Sequence, residues 1–127
     1  MAGLELITLL ALIEYAILGL MVGSARIRFG VAAPATTGEP TFERYFRVHQ
    51  NTLEALIIFL PAFWIFAHRV SYWAAVILGL AFIAARAEYA RSYIFAPEKR
   101  ALGARVTFAV NGILLIGASL GLIAHAI

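Results

Sequence analysis

Four long apolar stretches run through the chain, separated by short polar interruptions. Residues 4–23 are apolar almost throughout, broken by Glu14. Residues 42–67 divide into a charge-rich first half, ending at Glu54, and an apolar second half that contains Pro61. Residues 72–95 reverse that order, apolar first and then carrying Arg86, Glu88, Tyr89, Arg91 and Tyr93. Residues 104–127 are apolar again, with Thr107, Asn111 and Ser119 as polar interruptions. About 20 mostly apolar residues cross the roughly 30 Å of hydrocarbon in a bilayer, so each stretch predicts one membrane-spanning helix. Pro61 predicts a kink that neighbouring helices compensate.

The connections fit this reading. Residues 24–41 contain Arg26, Arg28, Pro34, Gly38 and Pro40, a composition that predicts a loop. A short turn is expected at 68–71 and a basic connection at 98–103. The first stretch lacks a basic leader and a small-residue cleavage site, so it is expected to be a retained span. The expected architecture is an all-α membrane protein, a four-helix bundle in one domain over 1–127.

Composition supports the same conclusion. Of 127 residues, 63% are hydrophobic and 13% charged, against roughly 45–50% and about 25% in soluble domains. An ordinary cytosolic domain, a disordered chain and a nucleic-acid binder are thereby excluded, although the isoelectric point is about 9.7. The chain has no cysteine, so it has neither a disulfide framework nor a thiolate metal site. His49, His68 and His125 have no metal-ligand spacing, and no metal is expected.

Charge then orients the bundle. With four spans, Arg26, Arg28, Arg44, Arg47, Arg86, Arg91, Lys99, Arg100 and Arg105 fall toward one membrane face and Arg69 toward the other. The positive-inside rule makes the first face cytoplasmic, with both termini opposite, in a bacterial inner membrane or an organellar membrane.

Two polar stripes lie at that face. Arg44, Arg47, Asn51 and Glu54 are spaced by three, four and three residues, and Arg86, Tyr89 and Tyr93 by three and four, so each set follows one side of a helix. Antiparallel packing of the two helices brings the stripes to similar depth. Ionisable groups there are costly unless they face a bundle interior or a watery cavity. Several have structural readings: Arg28, Arg44, Arg91, Lys99 and Arg105 as interfacial charges, Arg86 as a partner for Glu54, and the tyrosines as an aromatic belt. Glu14 is expected to partner Asn111, Thr107 or a neighbouring subunit. Taken together, Arg47, Asn51, Glu54, Tyr89 and Tyr93 offer cationic forks for carboxylates, a carboxylate for an amine, and amide and phenol groups for peptide bonds. A small zwitterionic peptide such as glutathione suits that set.

These residues resemble a known family, the membrane-associated proteins in eicosanoid and glutathione metabolism (MAPEG). The matching positions are Ser24 to Arg26, the loop from Pro34 to Gly38, Phe42, Glu43, Arg44, Arg47, His49, Asn51, Glu54 and Pro61, then Ala85, Arg86, Tyr89, Tyr93 and Arg100. The likeness looks closest to the branch of leukotriene-C synthase and the microsomal glutathione transferases. It implies a homotrimer with glutathione bound between subunits near the cytoplasmic face. By that resemblance Arg47, Asn51, Glu54, Tyr89 and Tyr93 line the site from one subunit, Arg26 and His49 reach it from the neighbour, and Arg100 activates the thiol. Arg44 and Arg86 have supporting structural roles.

Two positions depart from the leukotriene-C synthase pattern. Ile27 stands where that branch has a second arginine, and Ala55 replaces an aromatic residue. The resemblance therefore implies general conjugation: a membrane glutathione transferase, with glutathione peroxidase as a second activity, acting on a lipophilic electrophile or lipid hydroperoxide drawn from the membrane lipids. The alternatives are a non-catalytic lipid-binding or scaffold member of the family and a small four-span transporter using Glu14.

Overall fold

The computed structural model describes all 127 residues, in four long helices: α1 (Ala2–Phe29), α2 (Pro40–Arg69), α3 (Tyr72–Phe95) and α4 (Ala101–Ala126), with a short 3₁₀ turn at Pro97–Lys99 before α4. There is no strand, and all four helices are long and apolar enough to cross a membrane. The chain is an integral, multi-pass α-helical membrane protein. Large apolar side chains on the outer surface, such as Leu20, Trp73 and Phe108, suit a lipid solvent.

Several helix limits differ from the sequence expectation, most of all the end of α1. α1 continues through Arg26 and Arg28 to Phe29, because basic side chains are favoured in the last turn, where the carbonyl end of the helix dipole is negative. It stops at Gly30, whose φ of 69° and ψ of 33° give the left-handed cap that glycine adopts without strain. At the other connection α4 starts at Ala101, so the expected connection gives up Ala101 to Gly103 to the helix. α2 opens with Pro40 in its first turn and a Glu39 carboxylate oxygen that accepts from the Thr41 amide. It then runs unbroken through Pro61 to Arg69. The α2–α3 turn is tighter than expected, with Ser71 Oγ accepting from the Ala74 amide at 3.1 Å.

α1 packs on α2 and α3, and α4 packs on α2 and α3. The larger core centres on Phe59, Phe63 and Phe82, all fully buried, with Leu4, Ile7 and Leu114 around them. Phe59 stacks on Phe82 at 3.9 Å between ring centroids. A smaller core of Leu18, Val22, Phe42, Tyr45, Val48 and Tyr89 lies under the loop after α1. Gly103 sets the approach of α4 to α3, since a Cβ there would fall 2.7 Å from Tyr89 Cβ and 2.8 Å from the Ala85 carbonyl oxygen. That close approach fixes the place of Tyr89.

Candidate functional site

Arg86 anchors the polar end of the bundle. It is 3% exposed. Its Nη2 and Nε donate to Thr52 Oγ1 at 2.9 and 3.3 Å, and its Nη1 donates to Thr107 Oγ1 at 3.4 Å. Thr107 in turn donates to the Gly103 carbonyl at 2.8 Å. One guanidinium therefore ties α3 to α2 and α4. Its carbon also lies 4.1 Å from the Tyr89 ring centroid, within cation–π range. The expected Arg86–Glu54 ion pair does not form, because the two threonine hydroxyls lie closer and take the donors. The only salt bridge in the structure joins Arg91 to Glu88 at 2.7 Å on the surface of α3.

Tyr89 passes this order to the α2 stripe. Asn51 Nδ2 donates to the Tyr89 hydroxyl oxygen at 2.6 Å. The phenol keeps its own proton to donate, and Asn51 keeps its carbonyl oxygen to accept. Arg47, Asn51 and Glu54 line an open polar cleft of about 350 Å³, closed on one side by Thr36 and Thr37 of the loop after α1 and completed by Glu43 and Gln50. Tyr93 follows Tyr89 with 5.4 Å between ring centroids, and the Arg100 guanidinium lies 5.5 Å from the Tyr93 ring. Arg100 donates Nη1 to the Pro97 carbonyl at 2.9 Å and is otherwise exposed, so its remaining donors face outward.

A second cavity meets the first. An apolar groove of about 440 Å³ between α2 and α4, with Arg86 and Tyr89 of α3 at its wall, is lined by Ala55, Ile58, Phe108, Asn111 and Leu115. Glu54 belongs to both cavities. Asn51 lines the cleft and Tyr89 the groove, so the hydrogen bond between them joins the two spaces.

The remaining sequence-derived residues lie elsewhere within one chain. His49 turns toward α1, stacking on Tyr15 with 4.3 Å between ring centroids. Arg26 folds over the loop, donating Nη1 to the Ala35 carbonyl at 2.7 Å and covering the Phe42 ring at 4.9 Å. Arg44 donates Nη1 to the Ile94 carbonyl at 3.3 Å, a structural tie between α2 and the end of α3. Glu14 meets neither Asn111 nor Thr107. Asn111 Nδ2 is bonded to the Ala55 carbonyl at 3.1 Å, while Glu14 shares a pocket between α1 and α3 with Arg86. Sequence reasoning missed Thr52, Thr36, Thr37 and Gln50. Thr52 directly follows Asn51 on α2, and an uncharged hydroxyl beside a stripe of charges gave no signal of its own.

The family model that matches the chain is that of the MAPEG family, over residues 4–120. The chain belongs to the MAPEG family. The similarity to its relatives runs over nearly the whole of this chain and most of theirs. An uncharacterized protein of Synechocystis is 44% identical over 118 residues, covering 93% of this chain and 86% of the relative. Human microsomal glutathione S-transferase 2 is 34% identical over 119 residues, covering 94% and 81%. Leukotriene C4 synthase of Bos taurus is 35% identical over 124 residues, covering 98% and 83%.

Proposed function

We propose that this MAPEG protein is an integral membrane glutathione transferase. The observation that carries the reading is the meeting of a polar cleft and an apolar groove at Glu54, bridged by the 2.6 Å Asn51–Tyr89 hydrogen bond. A reaction between a charged, water-soluble peptide and a lipid-soluble electrophile needs two such spaces side by side. The names of two relatives, a glutathione transferase and a leukotriene synthase, support the same class.

In this reading Arg47 pairs with a glutathione carboxylate and Glu54 with its ammonium. Asn51, Tyr89 and Tyr93 bond its amide groups. Arg26 and His49, which turn away from the cleft within one chain, reach it from a neighbouring subunit of a homotrimer. The basic end is cytoplasmic and raises the local concentration of an anionic peptide. The electrophile enters sideways from the lipid along the groove.

Arg100 activates the thiol. A free thiol has a pKa of about 8.5, and bringing it near 6.5 takes roughly 2.7 kcal/mol of preferential stabilisation of the thiolate. A charge-assisted hydrogen bond from a guanidinium in a partly dehydrated site supplies that order of energy. The proton leaves to water. The thiolate sulfur then forms a bond to the electrophilic carbon, and the leaving group, a halide for an aromatic halide, departs with its electron pair.

The test is equilibrium binding of glutathione to purified protein, followed by turnover with aromatic halides, epoxides and hydroperoxides. Saturable binding with conjugate formation is expected. Absence of binding overturns the reading, and binding without turnover on any of these substrates favours a scaffold role.

A further inference from the structure

The buried charge of Arg86 lacks a matching acid among its hydrogen bonds. All three end on neutral threonine hydroxyls, yet an arginine that is 3% exposed inside the helix bundle needs an opposite charge in its surroundings. Two acids share a cavity with it. Glu54 lies across the apolar groove and is exposed to the polar cleft, where solvent weakens its field. Glu14 lies across a pocket of about 210 Å³ between α1 and α3, whose walls include Ile13, Ile17, Ile83 and Ala87.

The register of the two helices places Glu14 level with Arg86. α1 and α3 run in the same direction. The Gly3 amide donates to the Tyr72 hydroxyl at 3.1 Å, and Ile7 packs over Gly79. One further step of seven residues on each helix brings Glu14 opposite Arg86. One Glu14 carboxylate oxygen is fully buried and accepts no hydrogen bond from the protein. Between apolar walls the two charges act on each other at a separation beyond direct contact, because little solvent screens them.

Arg86 is also the support of Tyr89, and Tyr89 holds Asn51. We propose that Glu14 is a positioning residue for glutathione, acting through Arg86 on the Tyr89–Asn51 bridge. The proposal rests on the glutathione-binding reading above. With Glu14 neutral, the only other acid sharing a cavity with the guanidinium is Glu54, so Arg86 is drawn across the groove. That movement withdraws Arg86 from the Tyr89 ring and leaves the Tyr89–Asn51 bridge without its support.

The test measures glutathione affinity and melting temperature for the purified full chain in detergent, using wild type, Glu14→Gln, Glu14→Asp, Tyr89→Phe and the Glu14→Gln/Tyr89→Phe double variant. Glu14→Gln is expected to raise the glutathione Kd about tenfold, and Glu14→Asp, whose charge is kept but drawn back by one methylene, about threefold. In the Tyr89→Phe background the Glu14→Gln change should have little further effect, since both act on the same bridge. A purely structural Glu14 would lower the melting temperature and leave Kd unchanged, and that result overturns the proposal. So do single-variant effects that multiply independently. Where Glu14→Gln does not fold, Glu14→Asp carries the test, and wild-type affinity in it is the contradicting result. If wild type itself binds no glutathione, the functional reading fails and this proposal falls with it. If wild type binds and both Glu14 variants match it, only this proposal fails.

Discussion

The two ends of the bundle are held together by different physics. Around Phe59, Phe63 and Phe82 the helices meet through stacked rings and aliphatic side chains. Around Arg86 they meet through a guanidinium shared by Thr52 and Thr107 and laid against Tyr89. Dispersion contacts are individually weak and non-directional, so the apolar end fixes how closely the helices approach. Hydrogen bonds fix direction, and unmet donors in a dry interior are costly, so the polar end fixes which way each side chain points. A site that must grip a small charged peptide belongs at the second end.

Substitutions in each region should separate the two contributions. The largest loss of stability is expected for Phe82→Ala, a fully buried ring at the centre of the apolar core. Truncations of this kind cost about 3–5 kcal/mol. Unfolding in detergent measures it, and the folded fraction should keep its glutathione affinity. Thr52→Val comes next: it removes the acceptor of two Arg86 bonds and should cost about 1–3 kcal/mol, with weaker glutathione binding as Tyr89 loses its support. Loss of stability without loss of affinity there would mean that the Arg86 cluster is scaffold alone. The smallest effect on stability is expected for Asn51→Ala. Asn51 lines the open cleft, so the melting temperature should hardly move while glutathione binding weakens several-fold. Unchanged affinity would make the α2 stripe structural.

Much of this contrast was legible in the sequence. Four apolar stretches foretold four spans, and the three- and four-residue spacings foretold that Arg47, Asn51 and Glu54 share a side of α2 and that Tyr89 meets them at similar depth. Helix ends were less legible because arginine has two opposite meanings. In a soluble loop Arg26 and Arg28 mark an interruption, whereas at the last turn of a membrane helix they complete it, and only the left-handed Gly30 ends α1. Long-range pairings were illegible for a different reason. Thr52 and Thr107 lie 34 and 21 residues from Arg86, and nothing local shows that a neutral hydroxyl will take a guanidinium in preference to Glu54. The stacking of His49 on Tyr15 likewise depends on the rotation of α1 against α2, which several apolar faces of α1 would have allowed.

The central claim, that this basic end binds glutathione and holds it as a thiolate, is tested most directly by ultraviolet difference spectroscopy of glutathione titrated into wild type and Arg100→Ala at neutral pH. Wild type should develop the absorbance of a bound thiolate as the site fills. Arg100→Ala should still bind glutathione and lack that signal. An unchanged thiolate signal in Arg100→Ala, or none in wild type at saturating glutathione, would contradict the account.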